Sequence, residues 1–362
     1  MAYLDFIKEQ LAGKTICMYP MGIAAKSTMQ KLKRQGIEID FFSDNNPKFS
    51  EGEGEIYKGK RCIPKKQLIE MEQDNLVVIV ESLYYKEIKR DLQESGIKNI
   101  LRVYPEKFLT DQFMKQQKNT LQERVKAVLD ICADEKSKEI FKFLVDSWEQ
   151  EDLPDDYFED VYEKNQYFDP SIVALRDDEV FVDVGAYIGD TAEKFLEFCH
   201  GSYEKMHLFE LDPEIYKKLE INAKRLEDTD GNGSITCYPY GLSDEKGEVR
   251  FAGGDSSSSI QDGKIGDMSG VVQKMEEILE GEKVTFIKMD IEGSELPALR
   301  GGRNIIQTQK PKLAICIYHS PEDMLNIPVW IKKLVPEYKI YIRHYTDMML
   351  ETVCYAVAEE AK

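Results

Sequence analysis

An apolar strand that ends on an acid and turns through glycines into a helix can hold a small polar ligand. The sequence has one at EVFVDVGAYIGDTAEKF, residues 179–195. Asp183 lies at the strand end, Gly185 and Gly189 shape the turn, and a helix opens near Asp190 and Thr191. Glycines there let backbone approach a ligand, and a helix start offers free N–H groups. A nicotinamide-binding turn wants glycines at relative positions 1, 3 and 6. Those positions hold Gly185, Tyr187 and Asp190, so that fingerprint fails and an NAD-dependent oxidoreductase is the weaker enzyme reading. The remaining D-x-G-A-x-x-G, which includes Ala186, suits a zwitterionic amino-acid tail. Asp183 would accept from its ammonium, directly or through water, and turn amides would bind its carboxylate. A ligand-free tight turn is the plain alternative.

Further acids fall at neighbouring strand ends. KMHLFELDP puts Glu210 and Leu211 at the next strand edge, with Glu210 21 residues after Gly189. An acid at that spacing can hold both ribose hydroxyls of an adenosyl group. The turn YGLSDEKG offers Ser243 and Asp244 near the adenine edge, although polar residues are common in turns. VTFIKMDIEGSELPALRGG delivers Asp290 and Glu292, and PKLAICIYHSPED ends in Tyr318 and His319. Open α/β sheets bind ligands at this carboxyl edge. His319 is the expected general base, with Asp290 and Glu292 orienting an acceptor. A divalent cation on Asp290, Glu292 and His319 is chemically feasible, but no metal is expected.

Seven apolar runs must position these residues: VFVDV, MHLFE, SITCYPY, VTFIKMD, KLAICIY, YKIYIRHY and TVCYAVA. The last two leave no room for a helix between them. This predicts a mostly parallel sheet with an antiparallel hairpin at its end. The Ser-rich FAGGDSSSSIQDGKIG, residues 251–266, reads as a loop that closes over substrate.

VFVDVGAYIGDT, FIKMDIEGSE, LAICIYH and YIRHY…ETVCYA resemble the FkbM family of S-adenosylmethionine-dependent methyltransferases, over residues 167–357. The resemblance implies a class I methyltransferase fold, a Rossmann-like seven-stranded sheet with S-adenosylmethionine at the strand carboxyl ends. It carries Asp183, Gly185, Gly189 and Glu210 over as cofactor contacts, and places Asp290 and Glu292 in the family's D-x-E-G acidic pair. Many relatives carry a leucine–aspartate pair before the fourth strand; here KMEEIL has Glu276 and Glu277. The implied reaction is O-methylation of a hydroxyl on a sugar, glycan or other small molecule. A non-catalytic nucleotide- or nucleotide-sugar-binding protein is the rival of another class.

Upstream, residues 1–108 read as a smaller Rossmann-like α/β domain, with KTICMYPMG, IEIDFFSDNNP and NLVVIVES as strands. Only Gly22 remains of a glycine fingerprint, so docking of a nucleotide-sugar, homodimer formation and a purely structural role all stay open for it. Residues 109–178 read as a helical connector, and 179–362 as the methyltransferase domain.

Charge and cysteines bound the rest. The chain of 362 residues has a net charge of −19. Residues 1–110 carry 18 basic and 16 acidic side chains, net +2, against 30 and 51 beyond, net −21. So acidic a surface repels phosphate backbones, and nucleic acid is not an expected partner. No apolar run approaches the roughly 18 residues of a membrane span, and no secretory signal is read, which gives a cytoplasmic expectation. Seven scattered cysteines without a C-x-x-C pair read as reduced core residues.

Overall fold

A computed structural model describes residues 3–50, 56–82, 84–117, 119–229, 232–252, 259–260 and 268–358. The expected substrate lid, residues 251–266, lies mostly outside them. The chain divides into two compact units, residues 1–116 with 146–160, and residues 117–145 with 161–362. The stretch expected as a connector is thus shared between both units.

In the first unit, strands β1 (Thr15–Tyr19), β2 (Phe41–Asp44), β3 (Ile56–Tyr57), β4 (Lys60–Pro64), β5 (Leu76–Val80) and β6 (Ile100–Leu101) form a sheet of order β3-β4-β2-β1-β5-β6. Only the β3–β4 pair is antiparallel. LVVIV of β5 is buried at every position, as a central parallel strand covered on both faces requires. Cys17, Val78, Val80, Tyr85 and Leu92 form its core. Residues 146–160 belong here because Lys107 Nζ donates to the carbonyls of Ser147 at 2.6 Å and Trp148 at 3.3 Å.

The second unit holds a seven-stranded sheet made of β7 (Val180–Val184), β8 (Lys205–Phe209), β9 (Ser234–Tyr238), β14 (Phe286–Met289), β15 (Lys312–Cys316), β16 (Lys339–His344) and β17 (Thr352–Val357). Their order is β16-β17-β15-β14-β7-β8-β9, parallel except where β17 pairs with β15 and β16. A smaller sheet of β10 (Gly241–Leu242), β11 (Gly247–Ala252), β12 (Ser259–Ile260) and β13 (Met268–Gln273) follows β9. Aromatic rings fill the core: Phe181 stacks on Phe195 with centroids 4.5 Å apart, and Phe168 meets both Phe181 and Phe286 at about 6 Å. Edge strand β16 is covered, because Ala133 N donates to Ile340 O at 2.7 Å and Glu163 N to His344 O at 2.7 Å. Covering an edge this way blocks unwanted strand pairing.

None of the seven cysteines is in a disulfide, and five of them are buried. No helix among the described residues is long and apolar enough to cross a membrane.

Candidate active site

β7 stands beside β14 and β8 at the middle of its sheet, so its carboxyl end is where a parallel sheet opens toward a ligand. Gly185 follows at φ +80°, and a Cβ there would lie 2.0 Å from the carbonyl oxygen of Asp290. Glycine is required at this position on both counts. Gly185 N and Ala186 N both donate to Phe209 O, at 3.0 and 2.9 Å, tying the turn to the end of β8. Gly189, at φ +91°, opens the helix Asp190–Phe198. Asn222 Nδ2 donates to Ile188 O at 2.8 Å and steadies the same turn. Thr191 is buried and Asp190 exposed in the first helical turn.

Asp183 differs from the expectation. Its side chain is fully buried, and Oδ1 pairs with Lys288 Nζ at 2.9 Å, while Nζ also donates to Gly185 O at 2.9 Å. The carboxylate therefore anchors a lysine under the turn and is not open to a ligand ammonium. Burial pushes the Asp183 carboxyl up to about 6 even against the pull of Lys288. Burial also works against the Lys288 charge, but Asp183 and Asp290 hold it above the usual lysine range.

Glu210 likewise serves the turn. One oxygen accepts from Tyr187 N at 3.0 Å and the other from Asp212 N at 2.8 Å. Burial raises it to about 7, with those amides pulling the other way. Tyr187 sits at φ +48°, a strained conformation held by this bond. Leu211 packs onto the small sheet, where Cβ atoms on Gly241 and Gly270 would lie 3.4 and 2.4 Å from its Cδ1. Ser243 and Asp244 lie against the far end of helix Glu295–Gly301. A Cβ on Gly301 would meet Ser243 O at 2.0 Å, and Asp244 Oδ2 is 3.9 Å from Arg300 Nη1. Glu276 accepts weakly from Asn304 N at 3.4 Å and Glu277 pairs with Lys246.

The second group gathers after β14 and β15. Asp290 Oδ2 accepts from Tyr167 OH at 3.0 Å, and Oδ1 from Tyr318 OH at 3.2 Å. His319 Nε2 lies 3.3 Å from Asp290 Oδ1 and 3.8 Å from Glu292 Oε2, while Nδ1 lies 3.0 Å from Glu295 Oε1. Glu295 is wholly buried and accepts from Ile291 N at 2.8 Å and Gly293 N at 3.0 Å. Burial alone would lower the His319 pKa, but Glu295 and Asp290 hold it well above the usual histidine range. An imidazolium has no lone pair, so in this arrangement His319 is not the free base expected of it. Burial would raise Asp290; the His319 charge next to it, with Lys288 and Tyr167, keeps it well below the usual carboxylate range.

Glu351, just before β17, completes the cluster. It takes hydrogen bonds from Gln166 Nε2 and from Tyr318 OH, the latter at 3.3 Å, and burial next to Asp290 lifts it to about 7. Sequence reasoning missed Lys288, Glu295, Glu351 and Tyr167. Lys288 had a readable signal, a lone charge inside the apolar run FIKM, since a buried lysine needs a partner.

A mostly parallel sheet with a glycine turn at one strand end and a carboxylate–histidine cluster at the next is the geometry of a ligand-binding α/β domain. Comparison with known proteins agrees: residues 183–338 match the family model described as Methyltransferase FkbM domain. Residues 183–338 are therefore similar to FkbM-type methyltransferase domains, a class whose methyl donor is S-adenosylmethionine. A crystal structure of methyltransferase FkbM from Methylobacillus flagellatus superposes with a TM-score of 0.72 at 22% identity, covering 98% of this chain and 92% of that one. The hexuronic acid methyltransferase AglP of Haloferax volcanii is 28% identical over 175 residues, 46% of this chain. The match spans 64% of the length of AglP.

Proposed function

We propose that this chain transfers a methyl group from S-adenosylmethionine to a hydroxyl of a sugar or sugar acid, and that the seven-stranded sheet is the class I methyltransferase arrangement. The supporting observation is the direct contact between the two halves of the site: Gly185 packs against the Asp290 backbone so closely that a Cβ would lie 2.0 Å from the carbonyl oxygen. Donor turn and acceptor cluster are thus neighbours, as an in-line transfer needs. In this reading the turn from Gly185 to Thr191, with its helix start at Asp190 and Thr191, borders the cofactor together with Glu210 and Leu211. Ser243 and Asp244 border the adenine, and Asp290 stands between donor and acceptor.

In the transfer, the hydroxyl oxygen attacks the sulfonium methyl and the C–S electron pair stays on sulfur. The hydroxyl proton passes to Glu292, because Asp290, held well below the usual carboxylate range, is the weaker base and orients the hydroxyl, with His319 as the positive neighbour of both. The hexuronic acid activity of AglP and the carboxylate- and tyrosine-lined edge (Asp290, Glu292, Tyr318) favour a polyhydroxylated acceptor, because carboxylates accept well from sugar hydroxyls.

Titration calorimetry with S-adenosylmethionine and with NAD, followed by mass spectrometry of neutral sugars and hexuronates incubated with the chain, tests this. We expect S-adenosylmethionine to bind, NAD not to bind, and one methyl group to appear on a sugar. Binding of NAD alone would overturn the reading.

A further inference from the structure

We propose that the acceptor side holds a divalent metal ion, ligated by His319 Nε2, Asp290 and Glu292, with Glu295 fixing the imidazole from behind. This rests on the methyltransferase reading of the site and adds a cation to it.

The imidazole is the first observation. The His319 side chain is 7% exposed, and neither ring nitrogen completes a hydrogen bond. A polar ring buried to that degree without hydrogen bonds is costly, and such groups in native sites call for a partner. Its Nε2 edge faces two carboxylates, with Asp290 Oδ1 at 3.3 Å and Glu292 Oε2 at 3.8 Å. Ligand atoms each about 2.1 Å from one ion are themselves about 3.0–3.5 Å apart. The Asp290 separation matches that, and Glu292, a third exposed, lies slightly farther out on the same edge.

The opposite edge is the second observation. Glu295 cannot swing away, because its two oxygens are held by the amides of Ile291 and Gly293. Its Oε1 lies 3.0 Å from Nδ1, placed to accept from Nδ1–H, so that an ion displacing the Nε2 proton meets a lone pair facing Asp290 and Glu292. A carboxylate behind a histidine is the usual support of a metal-bound imidazole. Donor atoms of Asp290, Glu295 and His319 all lie within 4.8 Å of one another. Tyr167 and Tyr318 hold Asp290 as well.

Charge is the third. Lys288 pairs with Asp183 at 2.9 Å and reaches Asp290 only from beside it, while Asp290, Glu292 and Glu295 all stand within 4 Å of one imidazole. Surplus negative charge in a buried place is expensive unless a cation offsets it. One nitrogen and two carboxylates suit Mn²⁺ or a similar ion. Asp290 and Glu292 are partly exposed, so the open side of the ion would take oxygens of the acceptor.

The test uses the full chain, stripped with a chelator and desalted, and titrated with Mn²⁺ while free Mn²⁺ is followed by electron paramagnetic resonance. We expect one Mn²⁺ per chain, weakened at least about 10-fold by Asp290→Asn and by Glu292→Gln. Glu277→Gln, outside the cluster, should bind as the parent does. No binding up to about 1 mM Mn²⁺, or equal binding by Glu292→Gln and Glu277→Gln, overturns the proposal. Calorimetry with S-adenosylmethionine on the same samples separates the two readings. Cofactor binding without a Mn²⁺ site sinks only the metal; absent cofactor binding sinks the methyltransferase reading itself.

Discussion

Each unit has a parallel sheet with acids at its carboxyl edge, yet the two edges are built differently. In the first unit, β1 runs into Gly22, whose φ of −95° is open to any residue and whose added Cβ would meet nothing within 4 Å. Asp44 at the end of β2 is spent locally, accepting from Met21 N at 2.8 Å and Asn46 N at 2.7 Å. Glu81 follows β5 as a buried acid with one oxygen unpartnered. In the second unit, the turn after β7 is pressed against the next strand end, and its acids pair with lysine, histidine and tyrosine. A parallel sheet with acids at its edge therefore yields a loosely packed turn in one case and a charged, close-packed crevice in the other. Fold alone does not make a site.

The sharpest way to break this contrast is a matched pair of substitutions. Gly185→Ala should be the most damaging change in the chain, because the methyl group meets backbone at 2.0 Å and φ is +80°. Neither can relax cheaply, so we expect loss of cofactor binding together with a destabilisation above about 3 kcal/mol. Gly22→Ala should cost less than about 1 kcal/mol. Thermal melts and calorimetry with S-adenosylmethionine read both; equal effects would erase the distinction.

Next in size is Lys288→Met, which leaves Asp183 buried without its cation. Breaking a buried pair costs about 3–5 kcal/mol, reduced where the orphan takes up a proton. Because burial already holds Asp183 at about 6, the variant should bind that proton across neutral pH. Urea melts should then show its deficit growing as pH rises from about 5 to 8. A deficit independent of pH would mean that packing, not the Asp183 charge, sets the cost.

The seven strands and their hairpin were legible because VFVDV, VTFIKMD and LAICIY are apolar runs with acids at their ends. The Gly turn was legible for the same reason. What stayed hidden was which acid meets which partner. Asp183 and Glu210 read as ligand contacts from their strand-end positions, but the structure gives them to Lys288 and to the amides of Tyr187 and Asp212. Pairing across β7 and β14 depends on register, which strand pattern alone does not set for two-sided apolar strands. Glu295 and Glu351 carry no sequence signal that separates them from ordinary helix-start and loop acids, in a chain with 67 acidic residues. The shared connector was missed because periodicity shows helices and not the body against which they pack.

The smallest expected effect sharpens the comparison from the first unit's side. Glu81 is 7% exposed, and burial raises it to about 8, with Glu106 adding to the rise and Arg102 and Lys31 opposing it. An unfolded glutamate ionises near 4.5. Between that value and about 8 the unfolded chain has released the proton while the folded one keeps it. Folding stability therefore falls as pH rises through this window and levels off above it. A gap of that size sets an upper limit of about 5 kcal/mol, and relaxation and the nearby cations bring the expected loss to about 1–3 kcal/mol. Glu81→Gln keeps the shape without the titration, so it should leave stability near that of the parent at pH 5 and exceed it at pH 8. Hydrogen exchange of the β5 amides across that range measures the local stability. If the parent and Glu81→Gln show the same slope against pH, Glu81 is ionised in a partner network, and the first unit's edge is a charged crevice like the second's.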